Sequence, residues 1–294
     1  MTAITLRVYG KLNLTLEVLG RRADGYHDVA TVLQSVSVSD TLAFRAAPSL
    51  TIQCSDRSLE GEANLAHRAA LLLQQTKDVT LGAEISIEKG IPVASGMGGG
   101  SADAAATLFA LNRLWRLRTD DAALARIAAS LGSDVPFFLT GGTALATGRG
   151  ERVARLPAAP ERWFLIVRPA VEIANKTARA YSYLNQSHWT TGKASFQLAD
   201  ALRNRSPIRE TSLCNVFDAV VPGAYPEVAR WRSLLLDVAP SPPHLAGAGP
   251  SLYVPVVDKV EGERIMAQLP QEDGVIMLVA RTVPRSIEVV SEEA

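Results

Sequence analysis

The chain has little of what would mark a disulfide-stapled, zinc-binding or membrane-spanning protein. It holds two cysteines and four histidines in 294 residues, too few for a disulfide framework or a Cys/His zinc site. The longest run without charge, 238–257, contains five prolines and two glycines, which predicts loops and strands rather than a spanning helix. The start, MTAITLRVYGK, lacks the apolar segment and cleavage site of a secretory signal, so we expect a cytoplasmic protein with reduced thiols.

An excess of charge of either sign is also missing. Thirty Lys and Arg residues balance thirty Asp and Glu residues, so no basic excess favours binding to duplex nucleic acid or to an anionic membrane. We therefore expect neither a nucleic-acid nor a membrane partner. Hydrophobic residues make up 47% of the chain, which suffices for one large domain or two modest ones and argues against disorder.

Hydrophobic periodicity predicts a mixed α+β protein. Residues 4–18 alternate apolar and polar side chains, which predicts a strand with one buried and one polar face and a bulge or bend at Gly10. Further strands are predicted at 32–38, 41–45, 50–54, 81–87, 163–167, 252–257 and 275–280. Helices are predicted at 64–75, 120–130, 177–184, 196–203, 226–236 and 260–269, and one begins near Ser101. Prolines near 157–162 predict a boundary between two domains, 1–157 and 158–294.

A glycine-rich loop is the most informative segment. Four of the five residues 96–100 are glycines, which let backbone approach a bulky group, and a helix follows. The unpaired N–H groups and positive dipole at a helix start attract anions, so loop and helix together predict a phosphate cradle. Asp103, within this helix, would complement the dipole or help to hold a metal ion. Taken alone, the segment is also compatible with a flexible turn.

Other well-known phosphate and nucleophile patterns do not account for this loop. No GxxxxGK[ST] or GxSxG occurs in the chain, which excludes a Walker A loop and a nucleophile elbow. A dinucleotide fingerprint needs glycine where Ser101 stands. The preceding strand alternates, whereas a buried parallel strand would be continuously apolar.

Three segments resemble the motifs of the GHMP kinases, which include galactokinase, homoserine kinase and mevalonate kinase. They are GKLNLTL at 10–16, PxxxGxGGGS at 92–101 and HLAGAGPSLY at 244–253. Within that superfamily, RRADGYHDVATVLQSV, GxSADAA and LGSDVPFFLTGGTALATGRGE resemble the kinases of 4-(cytidine 5′-diphospho)-2-C-methyl-D-erythritol. The resemblance implies a two-domain fold, with an N-terminal domain like ribosomal protein S5 domain 2 and a ferredoxin-like C-terminal α/β sandwich.

The resemblance also implies the chemistry. ATP, with Mg²⁺, would phosphorylate the 2-hydroxyl of that cytidyl substrate in the non-mevalonate (methylerythritol phosphate) isoprenoid pathway. Asp134 would accept the hydroxyl proton, and Lys11 would stabilise the reacting charges. Without the resemblance, Lys11 reads as a solubilising residue on an exposed strand face, and Asp134 as a helix cap.

The same resemblance assigns two binding sets. The ATP-binding set is Asn64, Pro92, Val93, Ala94, Ser95, Gly96, Met97, Gly98, Gly99, Gly100, Ser101 and Ala102. The substrate-binding set is Asn13, Tyr26, His27, Thr177, Tyr181, Gly247 and Gly249. Tyr26 would stack on cytosine, His27 would hydrogen-bond its edge, and Tyr181 would cover the opposite face. Read without the family, Asn64 caps its helix, and the two glycines simply form a tight turn.

Two departures and two alternatives stand beside this interpretation. Gly10 follows Tyr9 where the family has Ala after Pro, and Ala102 replaces a second serine. One alternative is a GHMP kinase for another alcohol, such as homoserine or mevalonate. The other is a catalytically silent homologue, which would be expected to lose Lys11 or Asp134. The sequence leaves the metal ligands open, and also the choice between monomer and homodimer.

Overall fold

The computed structural model describes residues 3–293, which form two sheets with helices packed on them. The strands are β1 (Ala3–Arg21), β2 (His27–Ala47), β3 (Leu50–Cys54), β4 (Gly82–Glu88), β5 (Thr143–Gly148), β6 (Arg152–Arg155), β7 (Trp163–Arg168), β8 (Cys214–Asn215), β9 (His244–Leu245), β10 (Leu252–Val256), β11 (Ile276–Arg281) and β12 (Ile287–Glu293). The α-helices are α1 (Leu65–Lys77), α2 (Gly99–Leu114), α3 (Asp121–Leu131), α4 (Val135–Thr140), α5 (Lys176–Ser182), α6 (Lys193–Arg203), α7 (Val221–Ala224), α8 (Pro226–Val238) and α9 (Lys259–Met266).

The larger sheet has eight strands and the smaller one four. The larger follows the order β12-β1-β2-β4-β3, with β5 on β2, β6 on β5 and β8 beside β1. The smaller follows the order β11-β7-β10-β9. The mixed α+β class expected from the sequence is confirmed. The last strand, β12, pairs with β1, so the chain returns to its first sheet beyond the predicted boundary at 157, and the two-domain division stays a prediction.

The first two strands form one long hairpin whose second strand was wrongly predicted as two. The sequence analysis predicts separate strands at 32–38 and 41–45, with a break at Ser39 and Asp40. Instead β2 runs through them, and the register with β1 shifts between Tyr9 and Gly10. This shift confirms the irregularity expected at Gly10. Asp40 is fully buried and makes ionic contacts, so tertiary structure gives it a role that local sequence does not indicate.

The polar face predicted for β1 is buried over residues 11–17, although it is exposed or half-buried at Thr5, Arg7 and Tyr9. Lys11 is 3% exposed, and Asn13, Thr15 and Glu17 are buried with it. The second half of the chain covers this face: the Ser195 N–H of α6 donates to the Glu17 carboxylate, and the Tyr253 hydroxyl of β10 donates to the Asn13 carbonyl. Both faces of this stretch are therefore inside the protein, and its polar side chains face a cavity at Lys11 and Asn13 and helix α6 at Glu17.

Two clusters of buried apolar residues hold these layers together. The first lies between the larger sheet and helices α1 to α4, with Leu12 and Leu111 among its members. The second joins β7 and β10 to α8 and α9, through Leu165, Trp231 and Ile265. Burial of such side chains stabilises each by roughly 1.5–3 kcal/mol. Between residues 3 and 293, no helix combines the length and apolarity needed to cross a membrane.

Candidate active site

The glycine-rich loop closes tightly before α2 begins at Gly99, two residues earlier than predicted. Gly98 precedes the helix with a φ of 79°, and the first helical bond runs from the Ala102 N–H to its carbonyl. A Cβ on Gly96, whose φ is 92°, would stand 1.9 Å from the Ala246 carbonyl oxygen. A Cβ on Gly100 would meet nothing within 4 Å. Glycine is therefore required at 96 and 98, where φ is positive and a Cβ would collide with neighbouring atoms. Position 100 has no such requirement.

The loop is joined to β1 where the predicted catalytic lysine lies. The Lys11 N–H donates to the Met97 carbonyl (2.9 Å). Its Nζ donates to Asn13 Oδ1 (2.7 Å) and lies 3.4 Å from Asp134 Oδ2. The Asn13 amide donates in turn to Thr31 Oγ1 (2.8 Å). These contacts fix the ammonium between the glycine loop and a carboxylate.

Asp134 precedes α4, but its side chain makes no capping hydrogen bond. The interpretation of this residue as a mere helix cap is therefore wrong. The carboxylate is 41% exposed and faces Lys11, so it is available to a ligand while an adjacent cation holds it. A half-exposed carboxylate in such a position can act as a general base towards a bound hydroxyl.

The second glycine loop, 246–250, packs directly on the first. A Cβ on Gly247, whose φ is 60°, would be 3.2 Å from both the Gly96 carbonyl oxygen and Lys11 Nζ. The Asn215 amide donates to the carbonyls of Leu245 and Gly247 (2.8 Å each) and so holds this loop in place. Sequence reasoning missed Asn215, because a single asparagine before an apolar turn carries no distinguishing signal.

A first cavity of about 440 Å³ lies over the two loops. Most of the predicted ATP-binding residues line it, together with both predicted catalytic residues: Lys11, Asn64, Pro92, Val93, Ala94, Ser95, Gly96, Gly98, Gly99, Gly100, Ser101 and Asp134. Met97 and Ala102 are fully buried and face the core. Asn64 caps α1, since its Oδ1 accepts from the Ala66 N–H and its amide donates to the Leu59 carbonyl.

A second cavity of about 1080 Å³ adjoins the first. Five residues line both cavities: Ser101, Asp134, Arg149, Thr177 and Tyr181. The predicted substrate residues Tyr26 and His27 line only the second. Asn13 and Gly247 line only the first, and Gly249 lines neither. The carboxylate of Asp134 thus lies where two separate binding spaces meet.

Aromatic rings form one wall of the second cavity. His27 stacks on Tyr181, with ring centres 4.8 Å apart and planes 26° from parallel. Burial lowers the pKa of His27, and nearby Arg21 adds to this effect, which favours a neutral imidazole. Tyr26 is 54% exposed at the hairpin turn, with the Arg149 guanidinium 4.7 Å from its ring centre. Sequence reasoning missed Arg149, whose position between the cavities depends on the fold.

Comparison with known proteins shows which family the chain belongs to. A family model described as the GHMP kinases N terminal domain matches residues 64–142. A 4-diphosphocytidyl-2-C-methyl-D-erythritol kinase from Gloeobacter violaceus is 38% identical over 288 residues, covering 96% of this chain and 95% of the relative. One from Moorella thermoacetica is 39% identical over 291 residues, covering 96% of this chain and all of the relative. The chain belongs to the 4-diphosphocytidyl-2-C-methyl-D-erythritol kinase family. The resemblance predicted from its motifs is confirmed.

Solved structures extend this result for the kinase family. A crystal structure of 4-(cytidine 5′-diphospho)-2C-methyl-D-erythritol kinase superposes with a TM-score of 0.77 at 27% identity, covering 95% of this chain and 99% of that one. A homoserine kinase from Cytophaga hutchinsonii reaches a TM-score of 0.68 at 18% identity, covering 98% and 97% of the two chains, and shows the shared fold alone. The GHMP kinase fold implied by the motifs is confirmed.

Gly10 and Ala102, the two departures from the kinase motifs, both lie among residues that make ordinary packing contacts with them. A Cβ on Gly10 would come no closer than 3.4 Å to Met97 and 3.5 Å to the Val38 carbonyl, which are ordinary contacts. Ala102 is fully buried, so a hydroxyl on the same backbone would point towards the core rather than into the cavity. Neither departure removes a group from the cavities of this kinase.

A buried ionic cluster of Lys89, Asp40 and Asp103 holds the segment that leads into the glycine loop of the kinase. Lys89 Nζ contacts Asp40 Oδ2 at 2.5 Å and Asp103 Oδ2 at 2.7 Å. Asp40 also accepts from the N–H groups of Gly90 and Ile91, where the chain enters the loop. Burial is the main cause that raises the pKa of Asp103, and the charge of Lys89 opposes it. Asp103 therefore belongs to this cluster, where Lys89 holds one of its oxygens.

Replacing Lys89 by Met should lower the free energy of unfolding by about 3–5 kcal/mol, because two buried carboxylates would lose their shared cation. Urea denaturation measures this loss. Lys259→Met is the matched control, since Lys259 pairs with Glu263 on the exposed surface of α9 at 3.3 Å. Such exposed pairs contribute about 0.3–0.5 kcal/mol. Equally small losses in both variants would contradict a supporting role for the cluster.

Proposed function

We propose that this kinase transfers the γ-phosphate of ATP to the 2-hydroxyl of 4-diphosphocytidyl-2-C-methyl-D-erythritol. The observation that carries the proposal is the position of Asp134, 3.4 Å from Lys11 Nζ and on the wall of both cavities. One cavity has the glycine loop as its floor and the other has the aromatic wall. A donor phosphate and an acceptor hydroxyl bound in the two spaces would meet at this carboxylate.

The cavity proposed for ATP, the phosphate donor, binds anions through backbone N–H groups. Residues 99–101 form the first turn of α2, where N–H groups have no partner within the helix and the helix dipole is positive. The required glycine at 96 and the glycine at 98 allow the phosphates to approach this turn. We therefore assign the first cavity to the triphosphate of ATP.

The acceptor hydroxyl is activated by one acid–base pair. Asp134 accepts the proton of the hydroxyl as the oxygen attacks the γ-phosphorus, and ADP leaves. Lys11 stabilises the negative charge of the attacking oxygen, and Asn13 keeps the ammonium in place through the 2.7 Å hydrogen bond. Phosphoryl transfer depends mainly on in-line placement and charge neutralisation, which this fixed pair supplies.

Mg²⁺ belongs to the proposal as the partner of ATP. Within residues 3–293, no group of three or more His, Cys, Asp or Glu side chains is arranged to hold a metal ion. Ser101 offers a hydroxyl that lines both cavities. This donor set fits Mg²⁺, which keeps several waters and binds largely to phosphate oxygens. When bound, the ion neutralises charge on the β- and γ-phosphates.

The second cavity supplies recognition of the cytidine group. An exposed tyrosine ring offers a stacking surface for a base, and a neutral imidazole offers both a donor and an acceptor for the base edge. Tyr26 and His27 provide these groups. Arg149 lines both cavities and gives a cation for phosphate oxygens between them.

An ADP-release assay over four alcohols tests the substrate. The panel contains the cytidyl substrate, homoserine, mevalonate and galactose, each with saturating Mg-ATP. We expect turnover of the cytidyl compound alone, because only this substrate carries a base for the aromatic wall. Turnover of mevalonate or homoserine without turnover of the cytidyl compound would overturn the proposal and favour another GHMP kinase activity.

Tyr26→Ala should raise the KM for the cytidyl substrate by roughly 10- to 100-fold, since stacking on an aromatic ring contributes about 1–3 kcal/mol per base. The KM for ATP should stay unchanged, because Tyr26 lines only the second cavity. Tyr26→Phe keeps the ring and should keep most of the affinity. A wild-type KM for the cytidyl substrate in the alanine variant would remove Tyr26 from recognition.

We also propose a cytoplasmic location. The two cysteines are free, and burial raises the pKa of both thiols, that of Cys214 to about 11. One buried and one half-buried free thiol, neither in a disulfide, suit a reducing compartment, in which small-molecule substrates such as ATP are available.

A further inference from the structure

Lys176 reaches from the second half of the chain to the wall of the first cavity, next to its glycine-rich segments. It is the first residue of α5, and its Nζ donates to the carbonyls of Ala94 (3.0 Å) and Gly249 (3.1 Å). These carbonyls belong to the two glycine loops. The side chain lines the first cavity together with Lys11 and Asp134. Sequence reasoning passed over Lys176, because only folding brings α5 to the loops.

Lys176 differs from the other lysines of the first cavity, because those lysines pair with carboxylates. Three lysines line the first cavity. Lys11 pairs with Asp134, and Lys89 pairs with two carboxylates. Among residues 3–293, no carboxylate oxygen lies within 4.0 Å of Lys176 Nζ. Two carbonyl oxygens alone hold this ammonium, and an uncompensated cation in a partly closed site costs solvation energy until an anion arrives.

The surrounding charges agree with a site prepared for an anion. Burial lowers the pKa of Lys176 to about 8, Lys11 and Arg168 lower it as well, and Asp134 raises it. The three charged groups belong to β1, β7 and the residue before α4, so they face Lys176 from different elements. Two cations against one carboxylate leave a net positive local charge, which attracts phosphate oxygens.

We propose that Lys176 binds the phosphate oxygens of a bound nucleotide as a second cation beside Lys11. This inference rests on the proposed function, in that the first cavity takes phosphates. The ammonium exchanges its two neutral carbonyl partners for an anionic oxygen, and charge-assisted hydrogen bonds of this kind are roughly twice as strong as neutral ones. The phosphates of ATP and the diphosphate of the cytidyl substrate share this chemistry, and binding measurements distinguish them.

Calorimetric titration tests the contact without any turnover. AMPPNP with Mg²⁺ and CDP are titrated separately into the wild-type protein, Lys176→Gln and Lys176→Arg. We expect the glutamine variant to bind one of these ligands about 10- to 100-fold more weakly, as for loss of a hydrogen bond to a charged group, and the arginine variant to keep most of the affinity. Weaker binding of AMPPNP assigns Lys176 to the donor, and weaker binding of CDP to the acceptor.

Lys193→Gln is the matched control, because Lys193 is an exposed lysine of α6 outside both cavities. It should bind both ligands as the wild type does. Unchanged affinity of Lys176→Gln for both ligands would overturn the proposal. Because the titration needs no turnover, a wild-type protein inactive on the cytidyl compound would refute the proposed function and leave this test intact.

The pH profile separates a phosphate contact from a merely structural one. The pKa of Lys176 is about 8, so above this pH its amine is neutral in the protein without ligand. The affinity of the wild type for the nucleotide should therefore fall as the pH rises through 8 to 9. Lys176→Arg should keep its affinity over that range, since arginine stays charged, and Lys176→Gln should lack the fall. Thermal melts verify that each variant is folded. A fall of the same size in wild type and glutamine variant would contradict the proposal.

Discussion

Asp134→Asn should leave ATP binding near its wild-type level while turnover of the cytidyl substrate falls by roughly 10²- to 10⁴-fold, the usual range for general-base help. The amide has almost the shape of the carboxylate but cannot accept the hydroxyl proton. The glycine loop proposed to bind the phosphates is held by backbone contacts, such as the bond from the Lys11 N–H to the Met97 carbonyl, so the substitution should leave it in place. Single-turnover kinetics and ATP titration measure the two quantities.

The control for this variant is an aspartate that does cap a helix. Asp120 precedes α3 and accepts a hydrogen bond from the Ala123 N–H (2.8 Å). Asp120→Asn keeps the capping oxygen, so turnover and stability should both stay near wild type. Wild-type turnover in Asp134→Asn would remove this residue from the mechanism and favour Lys11 and the metal as sufficient for transfer.

Gly96→Ala should abolish most ATP binding, with an affinity loss well beyond tenfold. The new Cβ would stand 1.9 Å from the Ala246 carbonyl oxygen and 3.0 Å from the Gly249 carbonyl oxygen, at a φ of 92°. Both obstacles are backbone, so the two loops must separate. Strain at a positive φ costs about 1–3 kcal/mol and overpacking about 1–3 kcal/mol more. Thermal unfolding measures the loss of stability, and ATP titration measures the loss of affinity.

Gly100→Ala is the matched variant within the same loop. Its Cβ would meet nothing within 4 Å, and alanine in the first turn of α2 is favourable for a helix. Stability should be unchanged or slightly higher. If Gly96→Ala melted at the same temperature as Gly100→Ala, the packing of the two loops against each other would be refuted.

Local sequence patterns predicted much of this fold. Strict alternation over residues 4–18 predicted the long first strand, and helical spacing predicted α1, α3, α8 and α9 within a few residues. Such patterns work because side-chain direction repeats every 2 residues in a strand and every 3.6 in a helix. The break predicted between residues 38 and 41 was wrong, because β2 continues through this stretch, where Asp40 forms a buried ion pair with Lys89.

The candidate site divides in a similar manner. Motif resemblance assigned Lys11, Asp134 and the glycine loop, and the structure brings them together at one cavity. Asn215, Arg149 and Lys176 carry no local signal. Each reaches the site through a contact far along the chain, such as the bond between Lys176 and the Ala94 carbonyl. Long-range contacts of this kind leave no periodic trace in a single sequence.

The amino-acid sequence by itself determined the mixed α+β class, the glycine loop before a helix and the kinase family, because glycine conformation, helix termini and motif residues act locally. Only the tertiary structure decided that the polar face of β1 is buried over residues 11–17 and that the Asp134 side chain makes no capping bond. It alone also decided that, within residues 3–293, no carboxylate pairs with Lys176. The physical reason is that burial and charge pairing depend on what the rest of the chain packs against a residue, which neighbours in sequence do not specify.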